Sequence, residues 1–515
     1  MKHVLVEPNR YFDSVFLMRI SQEIEQLPDV AQAIVAMATP ANFENIRAAG
    51  FEVAGTPGPQ DLLIAIEAAS DEAFDAARAH LEELLAGQVE TGSVSGGAPQ
   101  PATLAEAIEI DPSANLALIS APGAYAAREA RMALRRGLHV MLFSDNVSVE
   151  DEVALKTEAV ERGLLMMGPD CGTAILNGVP LGFANVCRRG TVGIVGASGT
   201  GIQEISSLIH GWGGGISHAI GTGGRDLSSD VGAAMTRFGI EALANDPQTE
   251  VIVVVSKAPA TCVIPSLLET LEASGKPSVV QLVGFNPEKA DPGWLRPSVR
   301  FAATLEEAAD LACRAIDLHL SDGSPTGVSA SAETPTYQST EGRLVGLFCG
   351  GTLCQESWAL LHRAGLDVVS NVAFDPAKKA RPEDAVSGHV LWDLGDDAFT
   401  VGKPHPMIEP SLRDERVAAA GDDPEIGVVL VDCVLGHGAH PDPAGSLADA
   451  ARAALSAAEA EERTLRIVAS VTGTDLDPQH APTQRTTLEE AGVLVAGSNA
   501  NAVRIAFQYV QGGRG

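Results

Sequence analysis

Three times in this chain an apolar run enters a glycine-rich turn that leads into a helical pattern. The runs are Thr191-Val-Gly-Ile-Val-Gly-Ala-Ser-Gly-Thr-Gly201, Leu344-Val-Gly-Leu-Phe-Cys-Gly-Gly-Thr-Leu-Cys354 and Val428-Val-Leu-Val-Asp-Cys-Val-Leu-Gly-His-Gly-Ala-His440. Glycine lets backbone N–H groups close on an anion without a side chain in the way, and the unpaired donors of a first helical turn add partial positive charge. Strands that alternate with helices in this way make an α/β protein built on parallel sheets. Several anion cradles in one polypeptide point to chemistry on a phosphorylated or carboxylated small molecule. The alternative is that these glycines serve only tight strand-to-helix turns.

A chain of 515 residues exceeds one hydrophobic core, and about 100–200 residues per domain implies three or four. Hydrophobic residues make up 45% and aromatic ones 4%, which suits Ala/Val/Leu-rich α/β layers. The balance of 67 acidic against 35 basic residues gives a net charge of −32. That charge repels nucleic acid and anionic membranes at long range, so neither is an expected partner; it serves equally as a solubility or salt-tolerance signature. No run approaches the ~18 apolar residues of a membrane span and no secretory leader pattern opens the chain, so a cytoplasmic protein is expected. The seven cysteines, at 171, 187, 262, 313, 349, 354 and 433, are scattered and form no C-x-x-C pair. Neither a disulfide framework nor a metal site is expected from them.

Residues 1 to about 90 read as a small α+β unit similar to a ferredoxin-like sandwich. Strands are expected at 15–18, 30–38 and 61–66, with helices at 20–27, 41–49 and 71–86. The Gly/Ser/Pro stretch 91–101 is a flexible boundary. Strands at 116–120, 139–143 and 164–167, separated by helices at 126–136 and 149–162, then predict parallel βαβ units. A block from 188 to 320 repeats the alternation with strands near Val192, Ile216, Val251 and Val279. The segment 321–342 is a linker, and 343–515 forms a last α/β block with strands near Val345, Val368, Val428, Ile467 and Val493. These last two blocks open alike, which marks a weak internal repeat of a flavodoxin-like unit.

The run from Asn115-Leu-Ala-Leu-Ile-Ser-Ala-Pro-Gly-Ala through Met167-Gly-Pro-Asp-Cys-Gly-Thr173, Gly190–Thr200 and Ile220-Gly-Thr-Gly-Gly-Arg225 resembles the alpha subunit of succinyl-CoA ligases. The Gly-Gly-Thr turn at 350–352, Trp392-Asp-Leu-Gly395 and the Gly-His-Gly loop at 436–438 resemble the carboxy-terminal domain of the beta subunit. The order of motifs over residues 105–510, behind an extra amino-terminal domain, is similar to the FdrA family of acyl-CoA-synthetase-like proteins. The resemblance implies a truncated Rossmann-like domain of CoA-binding type at 103–187, a ligase-CoA flavodoxin-like domain at 188–320 and a beta-tail flavodoxin-like domain at 343–515. It also implies a homo-oligomer that works with other subunits on a small-molecule substrate.

Three departures limit what the resemblance carries over. The ligases phosphorylate a histidine on a loop late in the alpha domain, but no histidine occurs between His218 and His319, and that loop reads Leu282-Val-Gly-Phe-Asn-Pro-Glu288. Only the linker stands where the ligases carry a nucleotide-binding domain. The first strands of the ligases' CoA-binding domain are missing before Pro101, which leaves CoA doubtful as a cofactor. FdrA-like proteins are associated with carbamoyl transfer between phosphate and an amide such as oxamate, so phosphate or carbamoyl phosphate is the implied substrate. The rivals are an acyl-CoA synthetase that takes its nucleotide module from another chain, and a non-catalytic structural or regulatory subunit.

On this reading Ser198, Gly199, Thr200 and Gly201 face Gly436 and Gly438 across one phosphate. Gly223, Gly224, Gly350, Gly351 and Thr352 then line the acyl side. His437 and His440 are candidates to protonate a leaving nitrogen or bind phosphate. Arg225 is a candidate for bidentate contact with phosphate, its competitor being a salt bridge to Asp226 or Asp230. Lys403 or His405 is suited to a substrate carboxylate, unless that segment is only a proline-ordered surface loop. Asp170 and Cys171 fall where the ligases approach the phosphoryl group, although a buried structural thiol accounts equally for Cys171.

Overall fold

The computed structural model describes all residues except 9, 11, 13, 40–41, 44–45, 48, 54, 56, 59–60, 92–100, 102, 319–339, 385, 401–403 and 512–515. The expected Gly/Ser boundary at 91–101 and the linker at 321–342 therefore lie largely outside the described residues. The chain divides into two compact units, one made of Met1–Ala102 with Phe399–His405 and the other of Thr103–Ala398 with Pro406–Gly515.

In the first unit strands β1 (Lys2–Glu7), β2 (Val30–Met37) and β3 (Leu62–Ala68) form an antiparallel sheet in the order β1-β3-β2. Helices Ser14–Glu25 and Asp71–Thr91 pack against it. The strand expected at 15–18 is helix instead. Phe16, Leu17, Ile20 and Ile24 recur at helical spacing and are all buried, so the 3.6-residue period outweighs the short apolar run.

Among its described residues the second unit holds three sheets. Strands β4 (Leu116–Ile119), β5 (His139–Leu142) and β6 (Met166–Met167) lie parallel in that order. The next sheet comprises β7 (Thr173–Leu176), β8 (Val179–Gly182), β9 (Arg189–Ala197), β10 (Ile216–Gly221), β11 (Val251–Ser256), β12 (Ser278–Leu282) and β13 (Val299–Ala302). Its order is β13-β12-β11-β9-β10-β7-β8. The hairpin β7–β8 pairs with β10, so this sheet takes in Thr173–Gly182, ahead of residue 188. Asn177-Gly178, both at positive φ, close that hairpin as an Asn-Gly turn whose twist matches paired strands. The third sheet comprises β14 (Arg343–Phe348), β15 (Val368–Ser370), β16 (His389–Asp393), β17 (Ile426–Val434), β18 (Arg466–Thr472) and β19 (Leu494–Ala496), ordered β15-β16-β14-β17-β18-β19.

Set aside the β7–β8 hairpin and β15, and both larger sheets are doubly wound with the flavodoxin-like order 2-1-3-4-5. In such sheets ligands bind at the carboxyl ends of the strands, where the winding reverses. Here those points lie between β9 and β11 and between β14 and β17. One apolar core runs through both sheets, joining Ile194, Ile202 and Val253 to Leu344, Leu353 and Val428.

The two domains also exchange carboxylates. Glu204, on helix Gly199–Gly211, accepts from the Thr472 hydroxyl at 2.5 Å and from the backbone N–H of Asn499 at 2.9 Å, at the start of helix Asn499–Gln511. Glu356, on helix Gly351–Arg363, accepts from the N–H of Leu305 at 2.7 Å, at the start of helix Leu305–Ala315, and from the Asn499 amide at 2.8 Å. Each glutamate is the sixth residue of its helix, and each caps the last helix of the opposite domain.

Burial raises both carboxyls, that of Glu356 to about 7. Between the ordinary carboxylate value and 7 the unfolded chain releases this proton before the folded one does. Stability from Glu356 is therefore greatest below about pH 4.5 and falls as pH rises toward 7, by on the order of 3 kcal/mol. Glu356→Gln should flatten the dependence of thermal midpoint on pH between 5 and 8, measured by calorimetry, so that its stability relative to the wild type is lowest at pH 5 and rises toward pH 8.

Candidate functional site

Ser198 caps helix Gly199–Gly211, its Oγ accepting from the Gly201 N–H at 3.1 Å. The same Oγ lies 2.8 Å from Oγ1 of Thr352, in the first turn of helix Gly351–Arg363. The contact is reciprocal, because Gly350 has a Cβ direction that ends 3.0 Å from the Thr200 methyl. Two helix starts, each at the switch point of its own sheet, thus meet directly. The expected pairing of 198–201 with 436–440 is corrected: the partner of the Ser198 turn is 350–352.

No helix begins at 436–440; the next one spans Pro443–Ala460, and Asp442 caps it. Three donors of the loop are spent within the protein. The Gly436 N–H donates to Gln479 Oε1 at 3.0 Å, that of His437 to the Ala184 carbonyl at 2.9 Å and that of His440 to the Met407 carbonyl at 2.7 Å. Gly438 packs on Phe183. His440 Nδ1 accepts from the Asp442 N–H at 3.1 Å, which fixes this ring as a loop brace; His437 is exposed.

The second helix start is already occupied by carboxylates. The N–H groups of Cys349 and Gly350 both donate to the buried Asp432 at 2.7 Å. Burial raises the Asp432 carboxyl, while these donors and Arg413 hold it down. Gly351 faces Asp393, whose Oδ2 lies 2.5 Å from the place a Cβ would take. The first start, by contrast, has Thr173 beside it, with Oγ1 3.1 Å from the Cβ direction of Gly199.

The turn Gly223-Gly224-Arg225 follows β10. Gly223 is at φ +83°, and any side chain there would strike the Pro169 carbonyl, so the turn seats directly on Gly168-Pro169-Asp170. A buried network fixes it: Lys156 Nζ donates to Glu152 at 2.7 Å, Asp226 at 2.8 Å and the Thr222 carbonyl at 2.9 Å. Arg225 donates Nε–H to Glu152 at 2.9 Å and an Nη2–H to the Val147 carbonyl at 2.8 Å. Its carboxylate partner is therefore Glu152, not Asp226 or Asp230, and its Nε and Nη2 are engaged with the loop.

Asp170 is solvent-accessible yet closely surrounded, and desolvation raises its carboxyl to about 6 against the pull of Lys257 and Arg225. Cys171 is buried, its thiol pushed up to about 12 by burial, so it packs rather than attacks. His405 is half-buried and desolvation holds its ring down to about 4, a neutral imidazole at physiological pH rather than a cation for a carboxylate. Lys403 lies outside the described residues.

Lys257, Asp393 and Asp432 are the charged groups that sequence reasoning missed. Lys257 follows β11 directly, is exposed and exerts its charge on both Asp170 and Asp393. Its signal was positional, a cation at the carboxyl end of a central parallel strand. Among the described residues no cluster of three or more His, Cys, Asp or Glu is arranged to hold a metal ion, and no helix is long and apolar enough to cross a membrane.

These features define a succinyl-CoA-ligase-like protein. A CoA-ligase family model matches residues 347–508, a CoA binding domain model matches 188–282, and one described as AllF, heavy metal-associated domain matches 1–101. Uncharacterized protein YahF of Escherichia coli (strain K12) is 44% identical over 517 residues, covering 98% of both chains. The chain belongs to this succinyl-CoA-ligase-like family of the FdrA/AllF type. The ADP-forming succinate–CoA ligase alpha subunit of Aquifex aeolicus (strain VF5) is 30% identical over 171 residues, 32% of this chain and 54% of that subunit. The match thus spans about half of such a subunit. The dinucleotide-forming acetyl-coenzyme A synthetase 1 of Ca. Korarchaeum cryptofilum is 15% identical, with 78% of this chain and 85% of that one covered at a TM-score of 0.31.

The CoA-binding model covers β9 to β12, not residues 103–187, to which the sequence reading gave that type. The first turn after β4 does not fit a pyrophosphate: the Cβ direction of Gly123 ends 2.4 and 2.6 Å from the carbonyl oxygens of Asp145 and Asn146. Acceptors thus stand where an anion needs donors. Residues 1–101 contain no cysteine, and their histidines face carboxylates, His3 to Asp71 and His80 to Glu23. That donor set does not fit a soft heavy-metal ion.

Lys156→Ala would take the cation from the buried Asp226, leaving it only the Met235 and Thr236 donors, and would leave Glu152 with Arg225 alone. A loss of about 3–5 kcal/mol is expected, read as a lower urea midpoint.

Proposed function

We propose that this protein transfers an acyl group, a carbamoyl group in particular, to and from inorganic phosphate, working with partner subunits. The observation that carries the reading is the 2.8 Å contact between Ser198 and Thr352, which sets two helix starts against one point. The first-turn N–H groups of Gly199 and Thr200 supply the donors, and Lys257 supplies the nearby positive charge.

Phosphate held there attacks the acyl carbon, and charge builds on the carbonyl oxygen in a tetrahedral state. Preorganised backbone donors stabilise such charge by about 3–4 kcal/mol per donor. The chemistry needs no phosphohistidine, in keeping with the absence of histidine from 219 to 318. The family matches favour a second reading, an acyl-CoA synthetase whose nucleotide module comes from another chain.

Purified protein, alone and with its partner subunits, should release carbamoyl phosphate from a ureide and inorganic phosphate. Gly199→Val, which drives a side chain toward Thr173, should cut that rate by about 100-fold. Release of ADP and an acyl-CoA thioester instead would establish the second reading. Turnover unchanged in the variant would leave the chain a structural subunit.

A further inference from the structure

Asp393 ends β16 at the carboxyl edge of its sheet and is only 8% exposed. Asn371 brackets its backbone, accepting from its N–H at 2.9 Å and donating to its carbonyl at 3.0 Å. One carboxyl oxygen, Oδ1, accepts from the Gly395 N–H at 3.0 Å. The other, Oδ2, has no hydrogen-bond partner among the described residues. It lies against Gly351, the first residue of the helix whose Thr352 meets Ser198, and only the missing side chain of Gly351 leaves it room. A side chain this buried, locked at one oxygen and open at the other, is aimed at the junction of the two helix starts.

We infer that Asp393 is the catalytic proton donor of this site, giving its proton through Oδ2 to the nitrogen that leaves when phosphate takes the acyl group. The inference rests on the phosphate-transfer reading above. In the step, a phosphate oxygen forms a bond to the acyl carbon and the carbon–nitrogen bond breaks. The electron pair of that bond stays on nitrogen, which takes the proton from Asp393. The O–H proton of the attacking hydrogen phosphate returns to the carboxylate, so the products are the acyl phosphate and a neutral amine or amide.

The surroundings suit a group that must hold and release a proton near neutral pH. Burial raises the Asp393 carboxyl to about 7, with Lys257 and the Gly395 N–H opposing, and Asp396 and Asp432 adding to the rise. The thiol of Cys354 also faces it, and is itself pushed far up by burial. A protonated Asp393 leaves the phosphate unopposed; an ionised one repels it.

Sulfate, which does not titrate between pH 5 and 9, is the probe. Calorimetric titration of the full chain should show sulfate affinity falling about tenfold from pH 6 to pH 8 in the wild type. Asp393→Asn should keep its pH 6 affinity at pH 8 while phosphate-dependent turnover drops about 100-fold. Asp393→Ser, which keeps an acceptor for Gly395, should behave alike and serves if the first variant does not fold. An equal fall in affinity in wild type and variants would overturn the role of Asp393 and leave the phosphate reading intact. No sulfate binding by the wild type at either pH would overturn the phosphate reading itself.

Discussion

The site depends on the exchange of buried glutamates between the two doubly wound domains. Glu204 and Glu356 each leave one domain and satisfy the free N–H of the last helix in the other. Burying a carboxylate costs several kcal/mol unless hydrogen bonds replace its hydration, and each glutamate here accepts two. The exchange therefore fixes the relation between the helices that bear the glutamates. Because the glutamates sit six residues into those helices, their first turns are set against each other, and Ser198 reaches Thr352.

The rest of the site hangs on this frame through a second buried network. Lys156 gathers Glu152, Asp226 and the Thr222 carbonyl, and Arg225 closes the far side of Glu152. The turn that seats on Asp170 is thereby held by charge on its inner side, with its glycines against the chain opposite. Preorganisation of this kind matters more than the identity of any one donor, because a phosphate site gains from dipoles that do not have to reorient.

Much of this was legible in the residues. The glycine turns at 198–201 and 350–352 announced two flavodoxin-like units, and the shared strand-turn-helix opening announced their kinship. What failed did so for physical reasons. Val15–Met18 looked like a strand because four apolar residues carry no period of their own; Ile20 and Ile24 supplied it. Asn177-Gly178 is a strong local hairpin signal, but that the hairpin joins the sheet of the following block is set by its long-range pairing with β10. His437 and His440 drew attention as titratable pairs, yet whether a loop's N–H groups are free is decided by residues as distant as Ala184 and Met407. The glutamate exchange was out of reach, since nothing local distinguishes Glu204 or Glu356 from a solvated helical residue.

The near two-fold relation between the domains is broken where the chemistry would need it broken. In the second domain Asp432 on β17 fills the backbone donors before the helix, and Asp393 stands at its first residue. In the first domain β11 holds the matching place, and its residues, Val251-Ile-Val-Val-Val-Ser256, include no carboxylate. Lys257 follows it instead. One helix start thus keeps its positive potential while the other is neutralised and carries a buried acid. Two like cradles would both draw anions; this unlike pair separates the place for an anion from the place for a proton, across a single Ser–Thr contact.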